Sequence, residues 1–301
     1  MSRTKLEVKL WIFKSTKELN ERREAANLKF IKEYSKGMSE DSIKEFFLTT
    51  EEERDVFKRY ESILHNFCLK FQPPMPKNVV RNSLQYFKRF YLNNSVMDYH
   101  PKYIVFSCAY LASKVEKFNV DISQFLAHMI GDREKAIEIF LNRVLFLMRQ
   151  ITFDLFVLHP YQFIERFLID IKTRYTKISD PERLRPEIEE FLDKIQFTDA
   201  YFLYSRSEIA LAAVAYGTTK LEESIDGYLN GILFKNEPEK LVCAVTAIKT
   251  MVLMLKYEAL QIFTPVRANL EEKLDKCQNK KNNPSSAACK RKLEEQDEVK
   301  T

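Results

Sequence analysis

Two stretches decide the fold: IVFSCAYLASK at residues 104–114 and ALAAVAYGTTK at residues 210–220. They align at a constant offset of 106, which places Lys114 opposite Lys220. Both are rich in Ala, Ser, Thr and Cys, and small side chains let neighbouring helices approach closely. The pair therefore predicts an internal repeat in which each stretch forms a central helix surrounded by other helices.

Apolar residues recur at helical spacing along most of the chain, and no stretch shows the sustained alternation of a half-buried strand. The pattern predicts two sets of five helices, in which the quoted stretches are third in each set. The first set spans residues 51–71, 77–92, 101–116, 121–129 and 133–151, and the second spans residues 160–174, 181–199, 206–219, 221–230 and 237–258.

Start signals support these helices. Thr50-x-x-Glu53 and Ser205-x-x-Glu208 have the spacing of a capping box, in which the hydroxyl and the carboxylate each bond a free backbone amide. His100 precedes a proline, a position that favours a helix-cap role. Together with a capped segment at residues 15–36, these signals predict an all-helical protein of two five-helix repeats with one flanking helix at each terminus.

Composition excludes several classes of function. The 301 residues contain five glycines, where average usage of about 7% would give roughly twenty. Phosphate-binding loops need glycine, and no such motif is present. The four histidines and five cysteines show no metal-ligand spacing, so we expect no metal, no cofactor and no catalytic machinery. Net charge is only +5, and the charges alternate, which argues against direct nucleic-acid binding. No apolar run is long enough for a membrane span.

The predicted organisation has five parts. Residues 1–50 form an extension with a helix, 51–158 the first repeat, 159–260 the second repeat, 261–280 a C-terminal helix and 281–301 a polar, disordered tail. Within the tail, Lys290, Arg291 and Lys292 form a short basic cluster that fits a nuclear import signal or an ordinary solvated tail.

Residues 84–119, LQYFKRFYLNNSVMDYHPKYIVFSCAYLASKVEKFN, resemble the first repeat of the cyclin family. FLIDIKTRY at residues 167–175, DPERLRP at 180–186 and SEIALAA at 207–213 resemble its second repeat. The resemblance is strongest to the branch that activates the cyclin-dependent kinase of the CDK-activating complex, and it covers roughly residues 11–280. It implies two five-helix repeats with flanking helices, in agreement with the helix count.

The resemblance also implies partners. They are the cyclin-dependent kinase of the CDK-activating complex, a RING-finger assembly factor and the core of transcription factor IIH, in the nucleus. Such a chain supports phosphorylation of other cyclin-dependent kinases and of the RNA polymerase II tail. A cyclin does this by holding the αC helix of its kinase in the active arrangement.

The family's kinase contacts fall on Lys114, Glu116, Met148, Phe153 and Leu155. Without the resemblance, Lys114 would be interpreted as a solvated lysine that closes its own helix, and Met148 and Phe153 as core residues. The family also has a glutamate that orients the lysine, but here that position is Val144. We expect that Glu138 or another carboxylate replaces it, or that Lys114 is held less firmly.

Three alternatives remain open at this point. The chain could be another transcriptional cyclin, or a diverged scaffold of the same fold that activates no kinase. DNA-binding general transcription factors of the IIB type share the fold, but they carry a zinc ribbon, and this chain has no CxxC pair. The substrate-docking motif of cell-cycle cyclins is also missing, since residues 54–62 read RDVFKRYES.

Overall fold

The computed structural model describes residues 10–126, 133–257 and 268–283. Within these ranges every regular element is helical, which confirms the expected all-helical class. The helices are α1 Thr16–Tyr34, α2 Glu40–Phe46, α3 Thr50–Lys70, α4 Lys77–Tyr91, α5 Pro101–Val115, α6 Ser123–Leu126, α7 Arg133–Gln150, α8 Tyr161–Arg174, a 3-10 turn Pro181–Leu184, α9 Arg185–Ile195, α10 Ala200–Leu203, α11 Arg206–Lys220, α12 Asp226–Tyr228 continuing as a π turn Leu229–Leu233, α13 Pro238–Tyr257 and α14 Ala268–Cys277.

The described residues form two compact units. The first unit comprises residues 17–126, 133–155 and 268–283, and the second comprises residues 10–16 and 156–257. The segment before α1 therefore packs with the second unit, where the Phe13 amide donates to the Phe202 carbonyl at 2.7 Å. α1 and α14 pack with the first unit. No helix in the described ranges has the length and apolar character needed to cross a membrane.

The third helix of each set is the centre of its unit, as the sequence predicts. α5 packs against α3, α4 and α7, and α11 packs against α8, α9 and α13. Both helices bury nearly their whole length, and their buried positions include Ser107, Cys108 and Ala109 in α5 and Ala212, Ala213 in α11. Small side chains on several faces are what a helix with neighbours on several sides requires.

The structure corrects the register of the repeat by one residue. α5 and α11 begin, end and cap at an offset of 105, because Lys117 and Glu222 are the left-handed residues (φ 56° and 57°) that follow them. In each case the backbone amide of the following residue closes a Schellman motif. The Phe118 amide donates to the Ser113 carbonyl and the Glu223 amide donates to the Thr218 carbonyl, both at 2.8 Å. The identical Ala-Tyr and Lys residues of the two stretches therefore lie one residue out of register when the two helices are aligned by their ends.

One capping box is confirmed and one is displaced. Ser205 and Glu208 cap α11 reciprocally, as expected. At α3 the box is formed by Thr49 and Glu52 rather than by Thr50 and Glu53. Glu53 is instead buried and accepts a hydrogen bond from the Ser95 hydroxyl. Burial raises the pKa of Glu53 to about 7 despite this donor. The pairs Thr49–Glu52 and Thr50–Glu53 have the same spacing, so the sequence pattern does not tell which of them forms the capping box. Burial of Glu53 takes it out of the box and leaves Thr49 and Glu52 to cap α3.

α4 is buried from Val79 to Tyr91, although its sequence is polar. Lys88 Nζ lies 3.1 Å from Glu61 Oε1, and the two side chains are 1% and 0% exposed. Glu61 also pairs with Lys58 at 3.3 Å. Buried charges persist only when they are paired, so these contacts fix α4 against α3.

The residues after α14 are bonded rather than loose. Asn279 donates from its backbone to the Met97 carbonyl and from its side chain to Asp98 Oδ1 at 2.7 Å. Asn282 donates to the same carboxylate oxygen at 2.9 Å, and Tyr103 donates to Asn283 Oδ1 at the same distance. Residues 282 and 283 are thus bonded to the first unit, and the disorder expected for the tail stays a prediction. The remainder of that tail lies outside the described residues.

His100 is the N-cap of α5, as the sequence predicts. Its Nδ1 accepts from the Lys102 amide at 3.2 Å, and it lies among the rings of Tyr60 and Tyr103. Burial lowers the pKa of His100 to about 4, with Lys102 acting in the same direction and Asp275 opposing it. The cap therefore depends on a neutral imidazole, because a protonated Nδ1 cannot accept.

A pH titration tests this cap. The unfolded chain binds the His100 proton near the ordinary value of 6.5 and the folded chain only near 4, so acid favours unfolding across that window. We expect His100→Asn, which keeps an acceptor at the cap, to match the natural chain at pH 7. At pH 4 to 5 the variant should be relatively more stable by up to about 3 kcal/mol. Urea unfolding curves that stay parallel at all pH values would contradict the assignment.

The buried pair gives a second prediction. Lys88→Met leaves the Glu61 carboxylate buried beside Lys58 alone, which we expect to cost about 3–5 kcal/mol in the free energy of unfolding. Lys88→Met combined with Glu61→Leu should recover most of that loss. Lys17→Met is the matched control, because the Lys17–Glu21 pair is exposed and its loss should have little effect. Strictly additive losses at positions 61 and 88 would show that the pair is not coupled.

Candidate functional site

The end of α5 presents Lys114 at the surface. Its Nζ donates to the Val120 carbonyl at 2.8 Å and lies 5.0 Å from the centre of the Tyr110 ring. The side chain thus folds over the loop that follows its own helix, and its ammonium has three donors, only one of which this contact uses. Lys114 can therefore reach further acceptors on a partner without losing its position.

Glu116, the C-cap of α5, is held from α4. Asn82 Nδ2 donates to Glu116 Oε1 at 2.7 Å, and Asn82 itself is buried. The other carboxylate oxygen, Oε2, stays available as an acceptor. The sequence did not single out Asn82, because a lone asparagine inside a helical pattern gives no signal of its own.

Val144 lies on the buried face of α7, with Phe140 and Leu147, and is only 6% exposed. Within the described residues no carboxylate forms a salt bridge with Lys114. Glu138 is exposed on α7 and forms no recorded bond to it. The Val120 carbonyl and the Tyr110 ring hold Lys114. Hydrogen bonds from Ser123 lower the pKa of the nearby Asp121 carboxyl, and the charge of Lys114 acts in the same direction.

The adjoining face of α7 carries an exposed apolar row, the α7 stripe, formed by Leu141, Leu145 and Met148. Leu145 is 49% exposed, Leu141 is also exposed and Met148 is half-buried. The spacing i, i+4, i+7 places the three side chains on one side of the helix. An apolar row of this kind beside an already buried face is typical of a surface that a second protein covers. Leu141 and Leu145 extend the predicted site beyond Met148.

A tight turn after α7 presents Phe153. The Phe153 amide donates to Met148 and the Thr152 amide to Arg149, at 2.8 and 2.9 Å, which forms a Schellman motif. Thr152 and Phe153 are both left-handed, with φ of 56° and 55°. Phe153 is 60% exposed, whereas Leu155 is half-buried. Phe153 is therefore not the core residue that it would be interpreted as without the family resemblance, and its ring is exposed to a partner.

Two buried side chains of α4 hold this turn. The Tyr86 hydroxyl donates to the Leu155 carbonyl at 2.6 Å, and Arg89 Nη1 donates to the Asp154 carbonyl at 2.9 Å. Arg89 also lies 3.6 Å from Asp154 Oδ2. Burial raises the pKa of Tyr86, so its hydroxyl remains a donor at any physiological pH. α4 thus bonds both the Glu116 end and the Phe153 turn of the site.

The candidate site offers groups that can bind a partner. Within the described ranges, no three His, Cys, Asp or Glu side chains are grouped as metal ligands would be. Burial raises the pKa of the thiols of Cys68, Cys108 and Cys277, which makes them poor nucleophiles. The surface instead offers one cation, one oriented carboxylate and a set of apolar side chains. The basic cluster at residues 290–292 lies outside the described residues.

Comparisons with known proteins agree with this description. The family model of the cyclin C-terminal domain matches residues 159–279. Cyclin-H of Xenopus laevis is 37% identical over 300 residues, which cover 96% of this chain and 90% of the relative. A chain in the structure of the CAK complex from Chaetomium thermophilum, bound to ATP-gamma-S, has the same fold, with a TM-score of 0.78, 22% identity and coverage of 98% and 93%.

A chain in the yeast TFIIK (Kin28/Ccl1/Tfb3) complex also shares the fold, with a TM-score of 0.63, 22% identity and coverage of 82% of this chain and 97% of that one. The solved structures establish the likeness of fold, and the Xenopus relative establishes kinship over almost the full length of both chains. The two repeats built around α5 and α11 are those of that relative's family. The chain therefore belongs to the cyclin family, in its cyclin H branch.

Proposed function

We propose that this chain is the regulatory cyclin of a CDK-activating kinase and that it binds and activates a cyclin-dependent kinase. The observation that carries the proposal is the surface of Lys114, Glu116, the α7 stripe and Phe153, which bears exposed apolar groups beside polar groups that are already held in place. Membership of the cyclin H branch supplies the kind of partner. The regulatory role of cyclins is itself non-catalytic.

The proposed mechanism is a shift of the kinase population. A protein kinase is active only when the Glu of its αC helix reaches the Lys that holds the ATP phosphates. Lys114 would cap carbonyls at one end of a kinase helix, while Phe153, Leu155 and the α7 stripe cover its apolar side. A partner shifts this equilibrium only by binding the active arrangement more tightly, so these contacts must form with the inward position of αC.

We further propose that the complex includes a RING-finger assembly factor and associates with the core of transcription factor IIH in the nucleus. Support comes from the likeness to a subunit fold of the three-component yeast TFIIK complex. The phosphorylated substrates would be other cyclin-dependent kinases and the RNA polymerase II tail. Lys290, Arg291 and Lys292 would provide an import signal.

One experiment distinguishes the proposed function from two alternatives, a scaffold without kinase activity and a DNA-binding factor. Affinity purification of the tagged chain from its own cells should recover the kinase and the RING-finger factor, and DNA should wash off at moderate salt. Recovery of the complex without kinase activity on a polymerase-tail peptide would favour a scaffold. Retention on DNA without a kinase would favour a role like that of the IIB-type factors.

Lys114→Glu tests the polar half of the surface. We expect the reversed charge to repel the helix carbonyls that the ammonium would cap and to abolish kinase activation. Because Lys114 is exposed and contacts only the Tyr110 ring of its own helix and the loop that follows, the helical circular dichroism and melting temperature should stay close to those of the natural chain. Full kinase activity from a folded variant would refute the assignment of Lys114.

Phe153→Ala tests the apolar half. A large aromatic side chain at the centre of an interface contributes roughly 2 kcal/mol or more, so we expect kinase affinity to fall at least about thirtyfold in titration calorimetry. Ile169→Ala is the matched control, because Ile169 is 62% exposed, close to the 60% of Phe153, but lies on α8 of the second unit. Equal losses for the two variants would show that the effect is not specific to the surface.

A further inference from the structure

One face of α4 carries three polar side chains, each of which bonds the candidate site. Asn82, Tyr86 and Arg89 are spaced i, i+4 and i+7, so they point the same way along about 10 Å of helix. Each is essentially fully buried. Their partners are Glu116 Oε1, the Leu155 carbonyl and the Asp154 carbonyl, at 2.7, 2.6 and 2.9 Å.

Burial of this polar face would be costly without those partners. An apolar face would pack α4 equally well, so stability alone gives no reason for three donors in a row. What the three bonds share is their destination: one holds a carboxylate of the proposed kinase surface, and two hold the carbonyls that directly follow Phe153. The row therefore spans the distance between the polar and the apolar half of that surface.

The turn that carries Phe153 needs such support. Thr152 and Phe153 are consecutive non-glycine residues in the left-handed region, and each such residue costs roughly 1–2 kcal/mol relative to ordinary backbone. A strained turn persists only where its surroundings determine it. The hydrogen bonds from Tyr86 and Arg89 to the carbonyls of Leu155 and Asp154 hold the turn in this conformation, and both donors lie on a buried helix.

We propose that Asn82, Tyr86 and Arg89 form a positioning row that sets the spacing and direction of Phe153 relative to Glu116 and thereby the fit to the kinase. None of the three touches the kinase; they act through the residues they hold. The proposal rests on the proposed function, because it takes Phe153 as a kinase contact.

A double-mutant cycle tests the row. Tyr86→Phe removes only the hydroxyl that bonds Leu155, and we expect it to weaken kinase affinity about tenfold, the value of one hydrogen bond. In a Phe153→Ala background the same change should weaken affinity less than twofold, because the side chain that Tyr86 positions is gone. Arg89→Lys, which cannot reproduce the guanidinium geometry, should behave in the same way.

Tyr91→Phe is the matched control. Tyr91 lies on the same helix, is buried, and donates its hydroxyl to the Tyr99 carbonyl at 2.6 Å, the same bond length as that from Tyr86. Its target carbonyl lies outside the proposed kinase surface. We expect Tyr91→Phe to lower the melting temperature about as much as Tyr86→Phe does and to leave kinase affinity unchanged.

The outcomes separate the two proposals. If Phe153→Ala weakens binding and Tyr86→Phe weakens it equally in both backgrounds, the docking surface stands and the positioning row is refuted. The row is also refuted if Tyr91→Phe reduces affinity as much as Tyr86→Phe. If Phe153→Ala leaves kinase affinity unchanged, the docking surface itself is misassigned, and the positioning row falls with it.

Discussion

The structure of the first unit depends on the burial of polar and charged groups along α4. Lys88 is neutralised by Glu61 of α3, Arg89 bonds the turn after α7, and Asn82 bonds the end of α5. A helix of this composition can be buried only if every one of these partners is in place, so α4 ties the positions of three other elements to its own. Apolar packing would tolerate small sliding of the helices, whereas these directional bonds do not.

The predictable part of the fold was the part governed by periodicity and composition. The order and approximate bounds of the long helices follow from apolar spacing, and the small residues of α5 and α11 indicate central helices, whereas the short helices α2 and α10 were not predicted. The errors arose where one residue of register mattered. Thr50-x-x-Glu53 and the true box at Thr49 differ by a single position, and the repeat offset of 106 reflects matching letters rather than matching caps. Cap geometry depends on which amide is left unbonded, and a sequence does not display that.

The candidate site was predictable only in outline. Residue types at Lys114, Met148 and Phe153 came from the family resemblance, and the structure shows what surrounds them. It also shows why Val144 need not be a carboxylate: the position faces the core, and a carbonyl and an aromatic ring hold Lys114. Asn82, Tyr86 and Arg89 escaped notice because polar residues in a helix are normally interpreted as solvated. Their burial is a property of the tertiary arrangement, which no local pattern contains.

The left-handed residues at the ends of α5, α7 and α11 have a thermodynamic consequence. Lys117, Thr152 and Glu222 occupy positions where glycine would be free of strain. At each of them the folded state of this glycine-poor chain is therefore less stable by roughly 1 kcal/mol than it would be with glycine. A partner that recognises only the folded chain adds stability in proportion to the logarithm of its free concentration. For a regulatory subunit that works in a complex, the relevant stability is that of the assembly, and the isolated chain can remain well below the most stable sequence its fold would permit.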